Sequence, residues 1–183
     1  LLLAQYLCSG RRNAEYLKSL IFFPTLLGNV VVGIAFESIM KPNGILNQAL
    51  QAFGLPAVKW LTDSRWALAS CIFVDVWIGI GTATLIYIAG LSSISKTYYE
   101  AAVIDGASSH KSFMKITLPL MVPSINTVLT LSLIGGLRSY ELVYSMTGGG
   151  PGYSTELLGS IIYKLFSRGS YGLATAGYVI MFI

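Results

Sequence analysis

The chain carries a single histidine, His110, and that scarcity removes most constellations of nucleophile with base or of metal with ligands. No HExxH, no GxSxG and no paired-cysteine motif occurs. Its two cysteines, Cys8 and Cys71, lie in apolar surroundings without metal-ligand spacing and read as small buried hydrophobes. Charge is scarce as well. Only 11% of residues are charged, 54% are hydrophobic and the mean hydropathy is +0.68. A soluble domain carries about a quarter charged residues, so the balance points to a chain that lives in lipid. The net charge of +4 comes from scattered lysines and arginines. No basic tract with interleaved aromatics is present, which argues against nucleic acid as a partner. No repeat of 20–50 residues is visible.

What is present is a series of apolar runs. Residues 20–40, 66–91 and 119–143 are each long enough to cross about 30 Å of hydrocarbon as a helix. The chain opens without Met in the run LLLAQYL and stops inside ATAGYVIMFI. Residues 1–8 and 171–183 are therefore expected to be partial spans of a chain truncated at both ends. LLLAQYL lacks a basic leader and is too short to be a signal peptide or a full span. The expectation is an all-α integral membrane protein, a polytopic transmembrane helical bundle forming one domain over 1–183. Pro119 is expected to begin the third run, because a missing N–H costs nothing at a helix start. Lys164 and Arg168 interrupt the last apolar stretch, so residues 155–168 are expected to form an interfacial helix.

Orientation by the positive-inside rule is indecisive. With residues 92–118 placed inside, Arg11, Arg12, Lys18, Lys96, Lys111 and Lys115 oppose Lys41, Lys59, Arg65, Lys164 and Arg168. In the connection 41–65, the stretch GILNQALQAFG puts Ile45, Leu46, Ala49, Leu50 and Phe53 on one helical face and Asn47, Gln48 and Gln51 on the other. Two readings stay open for it, a helix lying in the membrane interface or a lid packed on the bundle.

The polar segment between the second and third runs holds EAAVIDGASSHKSFMKITLP, residues 100–119. GASSHKS resembles a phosphate loop only on the surface. His110 stands where such a loop needs a glycine before its lysine, and no strand precedes it. Local chemistry instead predicts two short helices. Thr97 and Glu100 fit a capping box, Gly106 can end the first helix in a left-handed conformation, and Ser108 or Ser109 can cap the second. The plainer alternative is an ordinary polar loop.

Glu100, Ala101, Ala102, Gly106, Ile116, Leu118 and Pro119 reproduce, at the right spacing, the EAA loop of permease subunits of binding-protein-dependent ABC importers. The resemblance to that family covers nearly the whole chain. TGGGPGYSTE (147–156), IFFPTLL (21–27) and the NGILN stretch look like the carbohydrate, maltose-transporter class. The resemblance implies the type I permease fold in a bacterial or archaeal inner (cell) membrane, with a cytoplasmic coupling loop at about 92–118. It implies a subunit without a catalytic site or cofactor of its own, ATP and Mg being held by an ABC ATPase dimer. The implied partners are that dimer, a second permease subunit, an extracytoplasmic substrate-binding protein and membrane lipid. Glu100, Ala101, Ala102, Asp105 and Gly106 would be the ATPase-coupling residues. ATP-driven closure shifts such a permease only if the contact differs between its two states.

Ionisable residues within a span face a cavity or a partner by default. Asp75 lies inside the 66–91 run, on one helical face with Ile78, Gly79 and Thr82; Arg138 and Glu141 lie late in 119–143. In the maltose-type relatives, sugar contacts fall at positions that line up with Asp75, Ile78, Gly79, Thr82, Ser132, Gly135 and Gly136. Helix periodicity puts Ser132, Gly136 and Ser139 on one face of the later span, with Arg138 and Tyr140 flanking, and Tyr140 or Trp77 could stack on a sugar. The competing role for Asp75 is an ion pair with Arg138 that holds the bundle together. An ABC permease for another solute, such as a glycerol phosphate ester, and a secondary transporter that uses no ATP remain the rival functions.

Overall fold

A computed structural model of the chain describes residues 1–8 and 14–182. Arg11, Arg12 and the rest of the polar stretch 9–13, with Ile183 at the end of the last apolar run, lie outside the described residues. Among the described residues all regular structure is helical. In chain order the helices are α1 (Leu2–Cys8), α2 (Ala14–Phe22), α3 (Asn29–Met40), α4 (Ile45–Ala52), α5 (Ser64–Ser93) and α6 (Lys96–Ile104). They continue with α7 (Ser109–Ser112), α8 (Leu118–Leu120), α9 (Val122–Arg138), α10 (Glu141–Thr147), α11 (Leu158–Ser167) and α12 (Tyr171–Phe182). A 3₁₀ turn at Phe23–Leu26 follows α2, and a π-helical turn at Phe113–Thr117 lies between α7 and α8.

Among the described residues only α5, with 30 residues and a mean hydropathy of 1.9 over its best window, is long and apolar enough by itself to cross a membrane. Up to three crossings result if two interrupted helix pairs each count as one. The interruptions correct the expectation of uninterrupted runs. In 20–40, Pro24 has no N–H for an α-helical bond, the chain tightens into the 3₁₀ turn, and α3 starts afresh after Gly28. In 119–143, Pro119 does not open the long helix. It sits in α8, the chain bends by 59° around Met121, and α9 begins at Val122 with Pro123 in its first turn. That helix ends at Arg138; Ser139 and Tyr140 are not helical, and α10 restarts at Glu141.

The chain forms two compact units. One comprises Leu1–Leu26 with Gly79–Leu133, the other Leu27–Ile78 with Ile134–Ile183. In the first, Leu7 and Met121 are fully buried, and Gly81 lets the 3₁₀ turn lie close on α5: a Cβ there would run into Thr25 and the Ile21 carbonyl. In the second, Val32, Met40, Cys71, Val74, Leu142, Val143 and Met146 make one apolar cluster from α3, the first half of α5 and α10. Phe36 and Trp77 pack on it with ring centroids 5.3 Å apart.

Candidate functional site

The segment after α5 folds as helix, glycine turn, helix. Ser95, not Thr97, is the N-cap of α6: its hydroxyl accepts from Thr97 N (3.4 Å) and lies 2.7 Å from Thr97 Oγ1. The serine two residues earlier satisfies the Thr97 amide that the predicted capping box left to Glu100. Glu100 is thereby released from capping. It is exposed and makes no side-chain hydrogen bond or ion pair among the described residues.

The helix ends where Gly106 takes φ +68°, with Gly106 N bonded to Val103 O (3.0 Å) and Ala107 N to Ala102 O (2.8 Å). Those bonds satisfy two of the last carbonyls, the usual glycine C-terminal arrangement. Ser108 then caps α7, accepting from Lys111 N at 3.3 Å. Ala102 is buried, whereas Glu100, Ala101, Asp105 and Gly106 are exposed. Val103 and Ile104 beside them are 72% and 86% exposed. A short helix thus offers an acid, a small residue and two bare aliphatic side chains, with nothing among the described residues covering them. Tyr99, one turn back on the inner face, reaches Thr117 of the π-turn: the two hydroxyls are 2.9 Å apart.

Of the candidate pathway residues, Asp75, Ile78, Gly79 and Thr82 do share one face of the unbroken α5, and Ser132, Gly135, Gly136 and Arg138 lie on α9. Asp75, Gly79, Thr82 and all of residues 131–138 are exposed, with Ile78 half-buried. Asp75 and Arg138 form no ion pair with each other; the pairs among the described residues are Glu37–Lys41 (3.3 Å) and Glu156–Lys164 (2.7 Å). Trp77 is occupied in packing against Phe36. Tyr140 is half-buried, one face stacked on Tyr163 at 5.1 Å and 26°. No group of His, Cys, Asp and Glu that could hold a metal occurs among the described residues.

The glycine-rich segment TGGGPGYSTE is built rather than slack. Gly148, Gly149, Gly152 and Tyr153 all have positive φ. Thr155 Oγ1 donates to Gly150 O (2.8 Å) and lies 2.7 Å from Thr147 Oγ1. Lys164 of α11 donates to Gly148 O (2.9 Å) and to Glu156 (2.7 Å), while the fully buried Ser160 donates to the other Glu156 oxygen (2.8 Å). Partial burial by itself would raise the Glu156 carboxyl. The bonds from Lys164 and Ser160, with the Lys164 and Arg168 charges, outweigh it and hold the group below the ordinary glutamate range.

Sequence reasoning missed Asn47. It is 1% exposed and makes five hydrogen bonds: Nδ2 to the carbonyls of Lys41, Pro42 and Val58, and Oδ1 from Val58 N and Trp60 Nε1. It closes the 41–62 connection over a groove of about 710 Å³ lined by Glu37, Lys41, Lys59, Trp60, Tyr144 and Gly148, among others. The expected apolar face of α4 is divided: Leu46 packs on the apolar cluster, whereas Ile45 is 71% and Phe53 84% exposed.

Residues 2–183 match the family described as "Binding-protein-dependent transport system inner membrane component". The chain is 32% identical over 195 residues to the multiple sugar-binding transport system permease protein MsmF of Streptococcus mutans, covering 100% of this chain and 63% of that protein. It is 32% identical over 168 residues to the trehalose/maltose transport system permease protein MalF of Thermococcus litoralis, covering 91% and 57%. A chain in the crystal structure of a bacterial alginate ABC transporter in complex with alginate pentasaccharide-bound periplasmic protein superposes with a TM-score of 0.86 at 27% identity, over 98% of this chain and 64% of that one. The chain therefore spans about six-tenths of the length of the relatives it matches.

Proposed function

The chain belongs to the family of binding-protein-dependent transport inner membrane components, and from that premise we propose that it forms half of the translocation pathway of an ATP-driven importer for a sugar or oligosaccharide. The observation that carries the proposal is α6. A helix capped by Ser95 and stopped by Gly106 holds Glu100, Ala101, Val103 and Ile104 out on an uncovered face. That is the surface of a helix seated in a cleft on another protein. The partner is the ATPase dimer, which binds the ATP and Mg and does all the bond chemistry. Glu100 supplies the polar contact and Gly106 the turn.

The saccharide class is supported by the transport systems for which the relatives are named: multiple sugars, trehalose or maltose, and alginate. Within the pathway Asp75 accepts hydrogen bonds from sugar hydroxyls, a role that suits an exposed carboxylate free of Arg138. Residues 131–138, exposed throughout, are covered by the second permease subunit or line the path with Ser132, Gly135 and Gly136. By the family resemblance, the loop 147–156 lies near the outer side, toward the extracytoplasmic binding protein. The exposed Ile45 of α4 and Phe53 just past its end lie in the outer lipid interface. The membrane is the inner membrane of a bacterium or archaeon. The test is uptake into proteoliposomes holding the full transporter. Vanadate-sensitive uptake that requires the ATPase and the binding protein is expected; uptake without ATP would reject the importer.

A further inference from the structure

Within the first unit, two features connect the exposed coupling helix to the long helices. Tyr99 is half-buried on α6, and its hydroxyl lies 2.9 Å from Oγ1 of Thr117, which is 3% exposed. Thr117 is the last residue of the π-turn, a wide-turn geometry that often marks functional sites in helices. Four residues on, the fully buried Met121 sits at the 59° bend into α9. Just past the bend, α9 is pressed against α5. A Cβ on Gly90 of α5 would run into the Ser124 hydroxyl and come within 3.1 Å of the Met121 terminal methyl. The contact is a packed one, and such contacts transmit displacement.

We propose that the Tyr99–Thr117 hydrogen bond is the tie that makes α6 move the π-turn and bend. The contact at Gly90 then makes α9 and α5 follow as one body. This rests on α6 being the ATPase contact. Tyr99 and Thr117 are positioning residues: the one is half-buried and the other buried, apart from the exposed docking residues. Without the tie, no side-chain hydrogen bond among the described residues joins α6 to the bend, and the packing of Ala102 and the chain links at either end remain. Docking then persists while the transmitted displacement is lost. Threonine hydroxyls in helices ordinarily turn back to a carbonyl of the preceding turn. The Thr117 hydroxyl instead meets that of the tyrosine eighteen positions earlier, as a tie between two elements requires.

The test is the ratio of ATP hydrolysed to solute imported, measured on the full transporter in proteoliposomes. Tyr99→Phe and Thr117→Val each delete one hydroxyl at nearly constant shape. Each is expected to raise the ratio roughly threefold to tenfold, the factor one hydrogen bond contributes. The ATPase subunits should remain at parental stoichiometry in the purified complex. Thr117→Ser keeps the hydroxyl and should keep the parental ratio. The double variant should be no worse than either single one, because both remove the same bond. Parental ratios in the single variants, or additive effects in the double, would overturn the tie. Loss of ATPase subunits from Tyr99→Phe would make the hydroxyl a docking group and overturn it equally. If the unaltered transporter imports solute without ATP, the functional reading itself fails, and the tie with it.

Discussion

Replacing Asn47 with alanine should loosen the connection between α4 and α5 more than any apolar substitution there. The side chain is 1% exposed and its amide holds five partners. The three carbonyls can find other donors, but Val58 N and Trp60 Nε1 each lose their acceptor. A buried donor left unsatisfied costs about 1–3 kcal/mol. Val58 and Trp60 are half-buried, so water relieves part of this, and the expected loss is about 2–4 kcal/mol. The damage is local because residues 55–59 have no regular structure of their own to fall back on. Trp60 is a built-in reporter. Thermal unfolding in detergent followed by tryptophan fluorescence should show a lower Tm, and trypsin should cut after Lys59 about 30-fold faster or more. Asn47→Asp keeps the acceptor and should fall between alanine and the parent. An alanine variant within about 0.5 kcal/mol of the parent, cut no faster at Lys59, would refute the keystone role.

The latch on the glycine loop predicts a pH dependence. Because the Glu156 carboxyl is depressed in the folded chain, its contribution is fully present above the ordinary glutamate value of 4.5 and is lost as pH falls through the lower folded value. Glu156→Gln should cost about 1–3 kcal/mol at neutral pH, less than a fully buried pair because Lys164 keeps 28% exposure, and should flatten the acid limb of the stability profile. An unchanged acid limb would assign the effect elsewhere. Asp75→Ala should cut substrate-dependent uptake at least about tenfold while the purified complex assembles normally, the loss of a charged hydrogen bond to solute; unchanged uptake would remove Asp75 from the pathway.

The family motif and the glycine turn were legible because they are written in local chemistry. Gly106 ends α6 and Ser108 caps α7 as their residue types require. The cap of α6 was misplaced by two residues, since Ser95 and Thr97 are both able caps and only the direction of the chain leaving α5 decides between them. Hydropathy marked the apolar runs yet could not see their breaks at residues 27–28 and 139–140, because apolar content says nothing about backbone hydrogen bonding or helix direction. Asn47 and Tyr99 escaped for a related reason. On a helical wheel Asn47 belongs to the polar face, but its role comes from partners eleven and thirteen residues away. Tyr99 gains its meaning from Thr117, across two intervening turns.

The central claim is that α6 couples an ATPase to transport. The most direct measurement compares solute uptake with ATP hydrolysis in the reconstituted transporter for Glu100→Ala and Gly106→Pro. Proline cannot adopt φ +68° and removes the Gly106 N–H that bonds to Val103 O, so the second variant distorts the turn while the first strips its exposed acid. Both should insert in the membrane. Both should lose uptake at least about tenfold relative to the ATP they consume, or shed the ATPase subunits altogether. Normal uptake per ATP in both variants, with the ATPase still bound, would contradict the account and leave residues 96–106 a surface loop.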